Sequence, residues 1–158
     1  MPVPSACGWP DATNTGIPPG TVLSLRTGDQ HLNAPGVYSG LDITGCVYIE
    51  ASNITIRNSR IRGECWYSIR TFGVPTTGLV VEDSEIVLAA GLEGSYGICC
   101  SNYTLIRVHI HANPAGNEGA DCVYLGTNNV VRDTYCVVGL LNAGSAGHAD
   151  GFQSDGGS

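Results

Sequence analysis

Four segments of the chain alternate apolar and polar residues in the same order. They are residues 53–61, 78–86, 102–110 and 128–136, and their first residues lie 25, 24 and 26 positions apart. Each segment holds two short alternating runs, as β-strands do, and neither run has a helical period. The residue between the two runs is polar or turn-prone: Asn58, Asp83, Arg107 and Asp133. Such a repeat, with strands and no helix, predicts a solenoid of stacked coils.

The apolar positions of successive repeats fall into columns, since stacked strands lie about 4.8 Å apart. These inward columns are Ile54–Leu79–Tyr103, Ile56–Val81–Leu105–Val131, Ser59–Ser84–Val108–Thr134 and Ile61–Ile86–Ile110–Cys136. The sequence therefore predicts an all-β fold, a single-stranded right-handed parallel β-helix of about 25 residues per coil. A leucine-rich repeat would need a leucine register that is absent, and a β-sandwich would not need equal spacing of similar segments.

Residues 1–40 lack the repeat and are rich in Pro, Gly and Thr. We expect them to form an irregular N-terminal cap over the first coil, because an open solenoid end exposes unpaired strand edges. Residues 41–158 then form the coils. The segment 148–158 starts a fifth coil without a second strand, so we expect the last coil to be incomplete. This predicts a fragment of a longer protein, or an open end that another chain covers by self-association.

Charge and composition narrow the classes of partner. The net charge is −7, with seven arginines, no lysine and 22 glycines. An acidic chain of this kind lacks the basic surface that nucleic-acid binding requires, so no nucleic-acid partner is expected. It also contains no apolar run of about 18 residues, so no membrane span is expected.

The seven cysteines bear on the location of the protein. No C-x-x-C pair occurs, which argues against a zinc ribbon. This cysteine content in an acidic, lysine-free chain favours an oxidising, extracellular environment, although buried free thiols are the alternative. The odd count leaves at least one thiol without a partner in this chain. Cys99 and Cys100 are expected to have separate fates, since alternation along a strand turns one inward and the other outward.

The strongest cluster of chemically active groups comprises His148, Asp150, Gln153 and Asp155. Asp121 aligns with Asp150 one coil earlier, so the two carboxylates are expected about 5 Å apart. Such a pair can supply an acid and a base or a nucleophile, and His148 can transfer protons near neutral pH. Two alternatives remain: Asp150 and Asp155 hold Ca²⁺, or they serve only in turns.

A second candidate is an outward column formed by Arg60, Glu85, His109 and Tyr135, with His111 beside it. An aromatic ring packs on a sugar face while charged groups bind hydroxyls or carboxylates, so this strip predicts substrate binding, as does Gln153. A His-x-His pair on a strand can also bind a metal. The alternative is a solvated surface with stacked ion pairs such as Arg60 with Glu85.

Four stretches resemble a known group of proteins: residues 7–21, 40–45, 53–61 and the closing His148-x-Asp-Gly-Phe-Gln153. They are similar to secreted bacterial β-helix proteins of the pectate-lyase-like superfamily. The resemblance implies an extracellular carbohydrate-active protein, a lyase or hydrolase acting on a polysaccharide. Only Asp150-Gly151 matches part of the polygalacturonase-type motif, and no arginine lies in a lyase signature. A non-catalytic glycan-binding, surface or self-assembling structural solenoid is therefore the alternative.

Overall fold

The computed structural model describes residues 3–71, 73–92, 94–113, 120–138 and 149–154. Within these ranges a short 3₁₀ helix, Pro4–Cys7, precedes a series of β-strands of two to four residues. In chain order the strands are β1 (Ser24–Thr27), β2 (Gln30–Leu32), β3 (Gly36–Ser39), β4 (Leu41–Thr44), β5 (Val47–Ile49), β6 (Ile54–Arg57), β7 (Arg60–Arg62), β8 (Tyr67–Arg70), β9 (Leu79–Glu82), β10 (Glu85–Val87), β11 (Tyr96–Cys99), β12 (Tyr103–Ile106), β13 (His109–His111), β14 (Asp121–Tyr124), β15 (Val130–Arg132), β16 (Tyr135–Val137) and β17 (Phe152–Gln153).

Every third strand joins the same sheet. Sheet A has the order β1-β4-β7-β10-β13-β16, sheet B the order β17-β14-β11-β8-β5-β2, and sheet C the order β15-β12-β9-β6-β3. The strand pairs in the described ranges are parallel. The prediction of an all-β fold built from stacked parallel strands is confirmed, and three parallel sheets are compatible with a β-helix.

The core includes the inward columns that the repeat predicted, together with buried residues of sheet B such as Ile69, Ile98 and Val123. In sheet A the register aligns Ile61 with Ile86 and Ile86 with Ile110, and all three side chains are fully buried. In sheet C the same holds for Ile56, Val81 and Leu105. Each side chain packs against its counterpart in the neighbouring coil, so the hydrophobic core runs continuously through the stack.

One residue in the left-handed conformation connects each sheet C strand to the next sheet A strand. The φ angles are 49° at Asn58, 46° at Asp83, 52° at Arg107 and 50° at Asp133. Asn and Asp enter this region more readily than other residues with a Cβ, which explains the polar positions in the repeats. Arg107 is the exception, and its guanidinium donates to both carboxylate oxygens of Asp83 at 2.6 and 2.7 Å.

The stacked strands begin at Ser24, inside the range 1–40 that we expected to be an irregular cap. Strands β1, β2 and β3 pair with β4, β5 and β6 respectively, so this part of the chain contributes to all three sheets. The first two coils are shorter than the later ones. Arg26 pairs with Ile43 17 positions away, and Ile43 pairs with Ile61 18 positions away. Ile61, in contrast, pairs with Ile86 25 positions away. A search for a repeat of constant length could not reveal coils of this shorter length.

The N-terminal segment, residues 3–17, lies beside later coils. The Gly16 N–H donates to the Arg107 carbonyl oxygen at 2.8 Å. Asp11 organises the segment, since its carboxylate accepts hydrogen bonds from the N–H and hydroxyl of Thr13 at 2.7 and 2.6 Å. This position differs from the expectation of a cover over the first coil. A segment without a strand pattern has few local partners for its backbone, and the turn at Arg107 supplies one.

Three disulfides tie the chain together, Cys46–Cys65, Cys99–Cys100 and Cys122–Cys136. Cys7 has a free, exposed thiol, as the odd count required. The expectation of separate fates for Cys99 and Cys100 is wrong. Strand β11 ends at Cys99, so the alternation of a strand does not constrain Cys100. Within the described part of the chain, no helix combines the length and apolar character needed to cross a membrane.

Candidate functional site

The structure distributes the predicted site residues over two outer faces. Asp121, Asp150 and Gln153 belong to the strands of sheet B and the residues leading into them. The other described candidates belong to sheet A: Arg60, Glu85, His109, His111 and Tyr135. Gln153 is thus on a different sheet from the other residues predicted to bind substrate.

On sheet A the predicted outward column is present, with Arg60, Glu85, His109 and Tyr135 in register on neighbouring strands. The carboxylate of Glu85 binds two cations at once. One oxygen accepts from Arg60 Nε at 2.6 Å, and the other is 2.8 Å from His111 Nε2. Its charge is therefore already balanced within the column.

His111 is held in its charged form. Its Nδ1 lies 2.9 Å from the Ala112 carbonyl oxygen and its Nε2 faces Glu85, so only the doubly protonated ring donates to both acceptors. The hydrogen bond to Glu85 raises the pKa of His111. The same bond, with help from Arg60, lowers the pKa of Glu85 to about 2. Burial, and the nearby charge of His111, lower the pKa of His109.

This network predicts a stability optimum in mildly acidic solution. The depressed pKa of Glu85 means that its contribution is present above about pH 4.5 and lost as the pH falls towards 2. The raised pKa of His111 means that its contribution is present below pH 6.5 and lost as the pH rises through the raised value. We expect the Glu85→Gln variant to lose about 1 kcal/mol at pH 5.5, allowing for solvent screening, and less at either extreme.

The measurement is urea unfolding of both proteins from pH 3 to pH 9, with the His109→Gln variant as the matched control. The pKa of His109 is lowered, so its contribution to stability decreases as the pH falls, opposite to that of His111. Replacing His109 should therefore not remove the stability maximum. A difference between wild type and Glu85→Gln that does not change with pH would contradict the assignment of charge to His111.

On sheet B the partly exposed residues of β8 are its first and last, Tyr67 and Arg70, whereas in β14 only the last residue, Tyr124, is partly exposed. One column aligns Tyr67, Tyr96, Asp121 and Asp150, and the next aligns Tyr48, Arg70, Cys99, Tyr124 and Gln153. We call the sheet B face the surface made by Tyr48, Tyr67, Arg70, Tyr96, Tyr124, Asp150 and Gln153.

Three half-buried tyrosines form a ridge along the sheet B face. The ring centroids of Tyr67 and Tyr96 are 5.7 Å apart with nearly parallel planes, and Tyr124 meets Tyr96 edge-on at 5.4 Å. The Tyr96 hydroxyl donates to Gln153 Oε1 at 2.7 Å. The Arg70 guanidinium lies over the Tyr48 ring, 4.6 Å from its centroid. These contacts fix the rings in place while leaving part of each exposed.

Asp121 and Asp150 lie together, as the alignment of their strands predicted. Asp121 is fully buried, and one of its carboxylate oxygens accepts the backbone N–H of Asp150 at 2.6 Å. The Asp150 carbonyl in turn accepts the Cys122 N–H at 3.0 Å. Asp150 is exposed, so it is the solvent-facing carboxylate, and Asp121 positions its backbone. The catalytic roles given to both residues stay predictions.

Two of the predicted residues, His148 and Asp155, lie outside the described residues. Their roles as proton shuttle and Ca²⁺ ligand therefore stay predictions. In the described ranges, no three His, Cys, Asp or Glu side chains are grouped so that they could hold a metal ion. Asp150 is the one predicted Ca²⁺ ligand whose position is known.

Sequence reasoning missed the tyrosine ridge. Tyr67 follows Arg62 after four residues, whereas Tyr96 follows Val87 after eight, so the loops into sheet B vary in length. A search at a fixed period therefore aligned the strands of sheets A and C but not those of sheet B. The available signal was that Tyr67 and Tyr96 each begin a four-residue segment with isoleucine at its third position, Tyr-Ser-Ile-Arg and Tyr-Gly-Ile-Cys.

Comparison of the chain with models of protein families, with curated proteins and with solved structures finds no match. The chemistry of the sheet B face is therefore the basis on which a function can be assigned to this chain.

Proposed function

We propose that this protein is an extracellular carbohydrate-active β-helix protein that binds a polysaccharide on the sheet B face. The proposal includes a right-handed β-helix of about 25 residues per coil, of the pectate-lyase-like kind that the sequence resembles. The observation that carries it is the ridge of Tyr67, Tyr96 and Tyr124 beside the exposed Asp150. The roles assigned to Asp121, Asp150 and Gln153 are part of the same proposal.

The chemistry of the ridge suits sugars. A tyrosine ring offers an apolar face to the C–H groups of a sugar, while its hydroxyl bonds to sugar hydroxyls. Gln153 and Asp150 add an amide and a carboxylate within the same surface. Because strands stack about 4.8 Å apart, side chains on successive coils present regularly spaced contacts. A repeating surface of this kind fits a repeating polymer, as in other solenoid binding proteins.

The disulfides support an extracellular location. Cys46–Cys65, Cys99–Cys100 and Cys122–Cys136 are bonds that persist in oxidising compartments and are rare in the cytosol. A secreted protein would meet polysaccharides of cell walls and matrices rather than soluble metabolites.

Lyase or hydrolase activity is the first form of the proposal, with Asp150 as the exposed acid or base. Asp121 holds the backbone of Asp150 in place by its 2.6 Å hydrogen bond. The second candidate is a non-catalytic glycan-binding solenoid. The burial of Asp121 favours it, because the pair presents a single carboxylate to solvent where paired-carboxylate glycosidases use two.

Replacing Tyr96 with alanine is expected to weaken polysaccharide binding about tenfold or more, because the variant loses the central ring of the ridge and the bond to Gln153. The measurement is affinity electrophoresis through gels that contain each polysaccharide of a panel. Tyr135→Ala, on sheet A, is the matched control and should bind as the wild type does. The opposite result, weak binding by Tyr135→Ala and normal binding by Tyr96→Ala, would move the site to sheet A.

Activity is tested separately, on the same polysaccharides with and without Ca²⁺. Ultraviolet absorbance of an unsaturated uronate would identify a lyase, and new reducing ends without that absorbance would identify a hydrolase. We expect Asp150→Asn to abolish either signal while polysaccharide binding persists. A folded, binding protein that is silent in both assays would establish the non-catalytic alternative.

A further inference from the structure

A separate cavity lies where the loops leave sheet A. Its volume is about 470 Å³, and its lining includes Thr44, Arg62, Glu64, Val87, Leu92 and Asn113. This volume lies within the range of about 300–1,000 Å³ that is usual for small-molecule sites. We call it the Arg62 cavity. It shares no residue with the sheet B face.

One side of the Arg62 cavity is apolar and the other is polar. Val87, Ala90 and Leu92 supply aliphatic surface, while Arg62 and Glu64 supply a donor and an acceptor. Sites that bind small molecules combine apolar walls with a few placed polar groups in this way. The lining therefore suits a ligand that is itself amphipathic.

Arg62 is held in position but incompletely bonded. Its NH2 donates to Asp42 Oδ2 at 2.9 Å, which fixes the guanidinium. Its Nε is buried and has no hydrogen-bond acceptor among the described residues. A buried donor without a partner costs about 1–3 kcal/mol. This Nε is enclosed, but the Arg62 side chain as a whole is 42% exposed, so its terminal guanidinium N–H groups are the donors that a ligand oxygen in the cavity can reach.

The charges around Arg62 decide the class of ligand. Asp42 pairs with the guanidinium of Arg62 and lies 4.0 Å from that of Arg60. Glu64 lines the same cavity, so two positive charges stand beside two negative ones and no excess positive charge is left for an anion. This balance disfavours a phosphate or a uronate. A neutral hydroxyl both donates and accepts, so it can bind Glu64 and Arg62 together.

We propose that the Arg62 cavity binds a neutral saccharide unit, with its hydroxyls on Arg62 and Glu64 and its C–H face against Val87 and Leu92. This site is independent of the polysaccharide proposed for the sheet B face. It is a second carbohydrate subsite on another side of the solenoid, and it selects uncharged sugars.

The test uses the full chain and saturation-transfer NMR with glucose, galactose, mannose, N-acetylglucosamine and their β-linked disaccharides. Galacturonate is the charged comparison. We expect at least one neutral sugar to bind and galacturonate to compete weakly or not at all. The variant Ala90→Trp places a bulky ring at an exposed position of the lining, and we expect it to weaken that binding about tenfold or more. Arg62→Gln, which removes the charged donor, should act in the same direction.

Controls separate this inference from the function proposed above. Tyr96→Ala should leave binding at the Arg62 cavity unchanged, and circular dichroism should show that every variant is folded. The inference is overturned if no neutral sugar binds, if Ala90→Trp has no effect, or if galacturonate binds more tightly than the neutral sugars. Binding lost in Tyr96→Ala but retained in Ala90→Trp would also overturn it, while supporting the sheet B face as the site.

Discussion

Replacing Ile86 with alanine is expected to lower the free energy of unfolding by about 2–5 kcal/mol. Ile86 is fully buried in the middle of sheet A, between Ile61 and Ile110 in the same column. The substitution removes apolar contacts and leaves a cavity that two rigid neighbouring coils cannot close. Strand backbones fixed by pairing on both sides limit relaxation, so the upper half of this range is expected.

Urea unfolding followed by circular dichroism measures the effect as a shift of the transition midpoint. The matched control is Val37→Ala, which removes methyl groups from a β-strand residue that is 59% exposed. We expect a loss of less than about 1 kcal/mol there, since little burial is lost. Equal losses in the two variants would contradict the assignment of the sheet A isoleucines to the core.

The second large effect is expected from removal of the Cys122–Cys136 disulfide. The bond connects β14 of sheet B with β16 of sheet A and closes a loop with a sequence separation of 14. A loop of about this length corresponds to about 3 kcal/mol of stabilisation, mainly through restriction of the unfolded chain. We therefore expect the double variant Cys122→Ala, Cys136→Ala to be less stable by about that amount.

Thermal unfolding under non-reducing conditions measures this difference. Cys7→Ala is the control, because Cys7 carries a free thiol and its removal breaks no bond. A double variant that melts together with wild type would show that the disulfide does not restrict the chain. Adding a reductant should bring both wild type and Cys7→Ala down to, or below, the stability of the non-reduced double variant.

The parts of the fold that the sequence predicted are those with constant length. From β6 onward, the strands of sheets C and A are separated by two residues, the first of them a left-handed residue such as Asn58 or Asp83, so their alternation repeats at nearly equal intervals. The buried columns through Ile56 and Ile61 could therefore be assigned in advance. The first coil escaped detection because Arg26 pairs with Ile43 only 17 positions away, whereas Ile61 pairs with Ile86 25 positions away.

The candidate site was predictable only in part. Asp121 and Asp150 could be aligned, because Asp121 begins β14 and Asp150 lies two residues before β17, its neighbour in sheet B. The burial of Asp121 and its bond to the Asp150 N–H could not, since they depend on how the surrounding loops pack. The partnership of Tyr96 with Gln153 joins residues 57 positions apart, and no local pattern in the sequence indicates it.

The docking of the N-terminal segment has a consequence for the order of folding. Coils pair only with their neighbours, so the stack can grow from any adjacent pair through short loops. The bond from Gly16 to Arg107 joins positions 91 residues apart, and the turn that contains Arg107 exists only after β12 and β13 have stacked. Closing so long a loop before that turn forms has an entropic cost without a compensating contact. The segment of residues 3–17 is therefore among the last of the described parts of the chain to reach its final place.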